Sequence, residues 1–78
     1  MKGQMTEVEA RKAMGANVRK FRIAKGMTQK ELSDATGINR TSIVQIEAGK
    51  RVIYALELSP LANALDVRIM QIYPYGCE

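Results

Sequence analysis

The chain has 78 residues, 46% hydrophobic and 26% charged, with one cysteine (Cys77), no histidine and a formal net charge of +4. A chain this short makes one domain that buries only about 60–65% of the surface its unfolded form exposes, which excludes a two-domain enzyme and most doubly wound cofactor-binding folds. A lone cysteine forms no intrachain disulfide, and without histidine the commonest general base and zinc ligand are missing, so packing or self-association has to hold the fold.

The first predicted element opens at Thr6-Glu7-Val8-Glu9, a capping box in which the Thr6 hydroxyl meets the Glu9 amide and the Glu9 side chain reaches back. From there to Lys25, Ala10, Met14, Val18 and Phe21 recur at helical spacing, with most of the cations off that stripe. Gly15 interrupts the run at a cost of about 1 kcal/mol relative to alanine. Either the helix begins near Ala13 behind an N-terminal arm, or it runs through and Gly15 permits a close contact. Gly26 stops it.

Thr28-Gln29-Lys30-Glu31 is a second capping box, followed by Leu32 and Ala35 on one face of a short helix ending at Thr36, with Gly37 at the position that can take positive φ. Ile38 turns inward, and Asn39 caps a third helix, Arg40 to Ala48, that buries Ile43 and Ile46 and ends at Gly49. Two short helices joined by about three residues around a glycine make a helix-turn-helix.

In the stretch from Lys50 to Leu58, Val52-Ile53-Tyr54-Ala55-Leu56 is apolar, with no glycine or proline to mark a loop. Ser59-Pro60 reads either as N-cap and first residue of a helix to Leu65, or as a distortion inside a longer helix from Ala55, at about 3 kcal/mol if truly interior. A helix covering at least Pro60 to Leu65 is expected, and both starts stay open. A last helix, roughly Val67 to Tyr73, carries Val67, Met70 and Ile72 and is stopped by Pro74.

No apolar run nears the roughly 20 residues that span a bilayer, and the start of the chain is too polar for a signal peptide, so a cytoplasmic protein without a membrane role is expected. Charge is segregated. Arg11 to Arg51 holds ten basic residues against three acidic ones, whereas the rest of the chain sums to −3. A basic block beside a mildly acidic, apolar C-terminal third suggests one face for a polyanion and another for something else.

Thr28-Gln29-Lys30-Glu31-Leu32-Ser33, Gly37-Ile38, Thr41-Ser42-Ile43 and Gln45-Ile46-Glu47-Ala48-Gly49-Lys50-Arg51 resemble the Cro/CI-type (XRE) helix-turn-helix family of DNA-binding regulators. Val18, Arg19 and Arg22 in the first helix, and Leu61 to Leu65 in the fourth, extend the likeness over about Met14 to Tyr73. The resemblance implies an all-α, compact five-helix bundle of the lambda repressor-like kind. Its domain covers 14–73, after an N-terminal arm or helix extension (1–13) and before a tail (74–78). It places Leu32, Ile38, Ile43, Ile46, Phe21, Leu61 and Leu65 in the core. The family's small alanine on helix 2 is here Ser33, whose hydroxyl needs a backbone partner, and the family's frequent asparagine is here Ala48. Arg22 and Glu47 match an arginine–glutamate pair tying helix 1 to helix 3, against the alternative of two independent surface charges.

With Ile43 and Ile46 inward, the opposite face of helix 3 carries Arg40, Thr41, Val44, Gln45 and Ala48. The family likeness makes Arg40, Thr41 and Gln45 base readers, with Val44 against a thymine methyl. For Thr41 a helix-capping or phosphate-contacting role stands beside this one. Gln29 at the start of helix 2, Ser42, Lys50 and Arg51 are the expected phosphate contacts. The surplus apolar residues Val52, Ile53, Tyr54, Ile69, Ile72, Tyr73 and Tyr75 predict a homodimer interface in the C-terminal third. The function implied is a sequence-specific regulator of transcription, expected to repress, that binds double-stranded DNA at an inverted repeat. No enzymatic constellation, cofactor or metal site is expected. The alternatives are the antitoxin of a toxin–antitoxin pair and a restriction–modification controller on the same fold.

Overall fold

A computed structural model describes residues 5–73, which form α1 (Glu7–Ala24), α2 (Gln29–Thr36), α3 (Arg40–Glu47), α4 (Ala55–Leu65) and α5 (Ile69–Ile72), with no strand among the described residues. The Thr6 hydroxyl accepts the Glu9 N–H at 3.1 Å and the Glu9 carboxylate accepts the Thr6 N–H at 2.9 Å. Of the two starts open to the first helix, the structure takes the earlier. α1 runs unbroken past Ala13. Gly15 is buried where α1 crosses α3, and a Cβ there would overlap the Ile46 carbonyl oxygen. Glycine is what lets the two backbones touch.

α2 begins with the same device: Thr28 accepts the Glu31 N–H at 3.0 Å and Glu31 accepts the Thr28 N–H at 2.8 Å. It ends at Gly37, whose φ of 77° lets its N–H return to the Ser33 carbonyl at 2.8 Å. Asn39 then caps α3 by accepting the Thr41 N–H at 2.7 Å. The Ser33 hydroxyl donates to the Ile38 carbonyl, so the serine that replaces alanine is satisfied across the turn. These contacts set α2 against α3 as a helix-turn-helix.

Of the two readings open to Ser59-Pro60, the structure takes the longer helix. α4 begins at Ala55, with Pro60 inside it. The proline removes the bond that its N–H would have made to the Leu56 carbonyl, on a turn where Leu56 is 91% exposed and water has access to the freed backbone. Asp66, at φ 59°, turns the chain into α5. α5 is a single turn, Ile69–Ile72, shorter than the expected Val67 to Tyr73, and Met70 points outward.

The core is Met14, Val18, Leu32, Ile38, Ile43, Ile46, Leu61, Ala62, Leu65 and Ile72, with Phe21, Met27, Ile53, Leu58 and Val67 packed around it. Phe21 is half-buried rather than central. Ile72 is fully buried, and Asn17 Nδ2 fastens its carbonyl to α1 at 2.9 Å. Its assignment to a dimer interface is therefore withdrawn, because the intramolecular core already uses that side chain.

Candidate nucleic-acid interface

The outward face of α3 follows from its inward one. Ile43 and Ile46 have no exposed surface. At 100° per residue that leaves Arg40, Thr41, Val44, Gln45 and Ala48 in solvent, with Ser42 half-buried at the edge. Because Asn39 is the N-cap, the Thr41 side chain is not spent on capping; only its backbone N–H is. Arg40, Thr41, Val44 and Gln45 thus form one exposed row at and beyond the positive end of α3, a row of the length that fits a major groove.

This row is held in place from behind by Glu47. Arg22 Nε donates to Glu47 Oε2 at 2.6 Å and Arg22 Nη2 to Glu47 Oε1 at 2.9 Å. The side chains are 11% and 4% exposed, so these are not two independent surface charges. The hydrogen bond to Glu47, outweighing burial, holds the Arg22 guanidinium above its ordinary pKa. Arg22 Nη1 also donates to the Met27 carbonyl at 2.8 Å, linking α1, the α1–α2 loop and α3. A forked arginine–carboxylate pair constrains direction as well as distance.

Gln29 behaves differently from its assignment as a simple phosphate contact. Its Nε2 donates to Glu47 Oε1 at 3.1 Å, so the side chain braces the Arg22–Glu47 pair. The first backbone N–H groups of α2 remain at its positive end, since the Thr28 cap takes only that of Glu31. Beside them a shallow open cleft is lined by Arg19, Arg22, Thr28, Gln29, Lys30 and Arg40.

The basic block divides on inspection. Arg11 is half-buried, donates to the Gly49 carbonyl at 3.3 Å and pairs with Glu7 at 3.4 Å. Lys30 pairs with Asp34 at 3.1 Å. Arg19, Arg40 and Lys50 are exposed and carry no ion pair among the described residues. Arg19 did not stand out in the sequence beyond its place in the first-helix motif. Its signal was its position three residues before the partly buried Arg22, one turn along the same helix.

Arg51 is a second correction. Its Nη1 and Nη2 donate to Glu57 Oε1 and Oε2 at 2.9 and 2.8 Å, and Nη1 also reaches the Val52 carbonyl at 2.9 Å. Its guanidinium lies 4.6 Å from the Tyr54 ring centroid. A guanidinium committed to these partners is not a free phosphate clamp. The hydrogen bond from Arg51, stronger in effect than burial, pulls the Glu57 carboxyl below the usual glutamate range, and Glu57 raises Arg51 in turn.

The apolar residues assigned to self-association also divide. Tyr54, Ile69 and Tyr73 are exposed, whereas Val52 and Ile53 are half-buried. Tyr75 lies outside the described residues. Leu56 and Met70, 91% and 63% exposed, join the exposed set without having been expected there. Leu56 was hidden in the sequence because nothing before Ser59 marks a helix start. The groove lined by Glu7, Ala10, Arg11, Met14, Arg51, Val52, Ile53 and Tyr73 brings the end of α5 beside the connector that leads to Tyr54 and Leu56.

A helix-turn-helix with an exposed, cation-flanked second helix defines a DNA-binding regulator of transcription. The family model HTH_3, described as Helix-turn-helix, matches residues 18–72, and the chain belongs to that family, the XRE type of transcriptional regulator. It is 46% identical over 65 residues to an HTH-type transcriptional regulator of Archaeoglobus fulgidus, covering 83% of this chain and 93% of that one. Among solved structures it superposes on the restriction–modification controller protein C.AhdI from Aeromonas hydrophila with a TM-score of 0.77 and 28% identity, over 81% of this chain and 96% of that one. The hypothetical transcription factor NHTF from Neisseria gives a TM-score of 0.80 and 28% identity, over 97% and 87% of the two chains.

Proposed function

We propose that this regulator is a cytoplasmic repressor that binds an inverted-repeat operator as a homodimer, with α3 of each copy in a major groove. The observation that carries the reading is the exposed row Arg40, Thr41, Val44 and Gln45, braced from behind by Glu47 and flanked by the exposed cations Arg19 and Lys50. In this reading Arg40 donates to guanine, Gln45 pairs with adenine, and the Thr41 and Val44 methyls meet thymine. Lys50, Arg19, Ser42 and the amides at the start of α2, including that of Gln29, hold phosphates. Self-association uses the exposed apolar residues Tyr54, Leu56, Ile69, Met70 and Tyr73. A patch of this kind marks association more often than chance exposure, and one α3 covers only half of a typical site.

A controller-like role, in which the protein's own abundance sets the response, is favoured by the match to C.AhdI, which this chain covers over 96% of its length. No corresponding observation favours a toxin partner.

Selection of operators from random DNA, followed by titration at several salt concentrations, tests the proposal. Each phosphate contact contributes about 0.9 to the slope of log K against log salt, so a steep fall in affinity is expected and a slope near zero would refute DNA binding. Arg40→Ala should cost about 1–3 kcal/mol on the selected operator and relax preference at one base pair, whereas Lys50→Ala should weaken binding to all sequences alike. Equal behaviour of the two variants on specific and random DNA would refute the division into readers and clamps.

A further inference from the structure

The seven residues between α3 and α4, 48–54, join the reading helix to the exposed apolar face, and they are tied down on three sides. The Lys50 N–H returns to the Gln45 carbonyl at 2.9 Å, which locks the connector to α3. Arg11 of α1 donates to the Gly49 carbonyl at 3.3 Å. Arg51 grips the first turn of α4 through both oxygens of Glu57 at 2.9 and 2.8 Å and stacks over Tyr54 at 4.6 Å. The Tyr54 N–H donates to Glu57 Oε1 at 2.9 Å, so one carboxylate fixes both the arginine and the helix start. Tyr54 and Leu56, 58% and 91% exposed, flank this cluster.

We infer that Arg51, Glu57 and Tyr54 form a positioning cluster that sets the angle between the reading helix and the self-association face, and thereby the half-site spacing the dimer accepts. The inference rests on the homodimer reading above. Two reading helices of a dimer sit ~34 Å apart, so each lies about 17 Å from the two-fold axis. A change of about 10° in the angle each copy holds about that axis then moves a reading helix by about 3 Å, close to the 3.4 Å rise of one base pair. A single flexible ion pair would not hold that tolerance. A forked pair with a backbone bond and a stacked ring is restricted in plane and direction. A role in phosphate binding would draw on the same guanidinium and predicts something different, a uniform loss of affinity.

The test is a set of operators carrying two selected half-sites separated by the preferred spacer, by one base pair fewer and by one more, together with a single half-site. Wild type should favour one spacer by roughly tenfold or more, the value of about one misplaced base contact. Arg51→Gln and Glu57→Gln should bring the three spacers to within a few-fold of one another, with single half-site affinity and dimer mass unchanged. Arg51→Lys, which keeps the charge but not the fork, should do the same and serves if Arg51→Gln fails to fold. Spacer discrimination retained in a folded Arg51 variant would overturn the inference, as would an equal loss of affinity for every DNA, single half-sites included. A wild type that binds one half-site but shows no spacer optimum would overturn it while leaving DNA reading intact. Absence of specific binding to any half-site would overturn both.

Discussion

At the scale of the residue, two glycines do different work. Gly37 has a positive φ and nothing within 4 Å of where a Cβ would stand, so its constraint is conformational alone. Gly15 has ordinary helical backbone, and its constraint is space, since a Cβ would overlap the Ile46 carbonyl oxygen. Gly37→Ala should therefore cost about 1–2 kcal/mol, the left-handed penalty. Gly15→Ala should cost more, at the upper end of or beyond the ~1–3 kcal/mol of an overpacked core, despite alanine's better helix propensity. Denaturant unfolding of both variants checks the order, and a Gly15→Ala as stable as wild type would mean α1 and α3 can separate without loss. The sequence showed that Gly15 was exceptional, because it broke a helical stripe. It could not show whether the break was an end or a crossing, since that depends on what α3 brings against it.

At the scale of the element, local chemistry was legible wherever a helix carried its own start signal. Both Thr-x-x-Glu boxes and Asn39 form as expected, because a cap is decided within four residues. α4 lacks such a signal. Its start at Ala55 depends on Glu57 being held by Arg51, and Ser59-Pro60 is a better local cap than anything near Tyr54. That dependence carries a pH signature. Glu57 has a folded pKa lowered by the hydrogen bond from Arg51, so its stabilising contribution is complete above the unfolded glutamate value of ~4.3 and is lost as pH falls through the lower folded value. The stability gap between wild type and Glu57→Gln should be constant from about pH 6 upward and shrink below about pH 4. Thermal melts across that range check it; a gap that widens in acid would show that Glu57 is not ionised by its partner.

At the scale of the whole molecule, Ile72 and Leu56 exchange the roles their neighbourhoods suggest. Ile72 lies in a C-terminal run of apolar residues that looks surplus, yet it closes the core under α1 and α4. Leu56 lies in solvent on the first turn of α4. Leu56→Asp should leave the melting transition near that of wild type and convert a dimer to a mass near 8.7 kDa by sedimentation. Ile72→Asp should instead unfold the domain, because it buries a carboxylate without a partner. If Leu56→Asp stays dimeric, the association surface lies elsewhere on the molecule.

The sequence by itself determined the class of fold and the direction in which the reading helix faces. Helical periodicity, capping residues and turn glycines are local, and the inward Ile43 and Ile46 leave only one side of α3 for Arg40, Thr41, Val44 and Gln45. Tertiary structure decided which charges are free and which apolar residues are surplus. Arg22, Arg51 and Arg40 are the same residue type on similar stretches, and what separates them is whether a carboxylate from another element lies within hydrogen-bond reach: Glu47 for Arg22, Glu57 for Arg51, and none among the described residues for Arg40. A charge's availability for DNA, like an isoleucine's availability for a partner, depends on neighbours that are distant in the chain, and only the packed molecule brings those neighbours together.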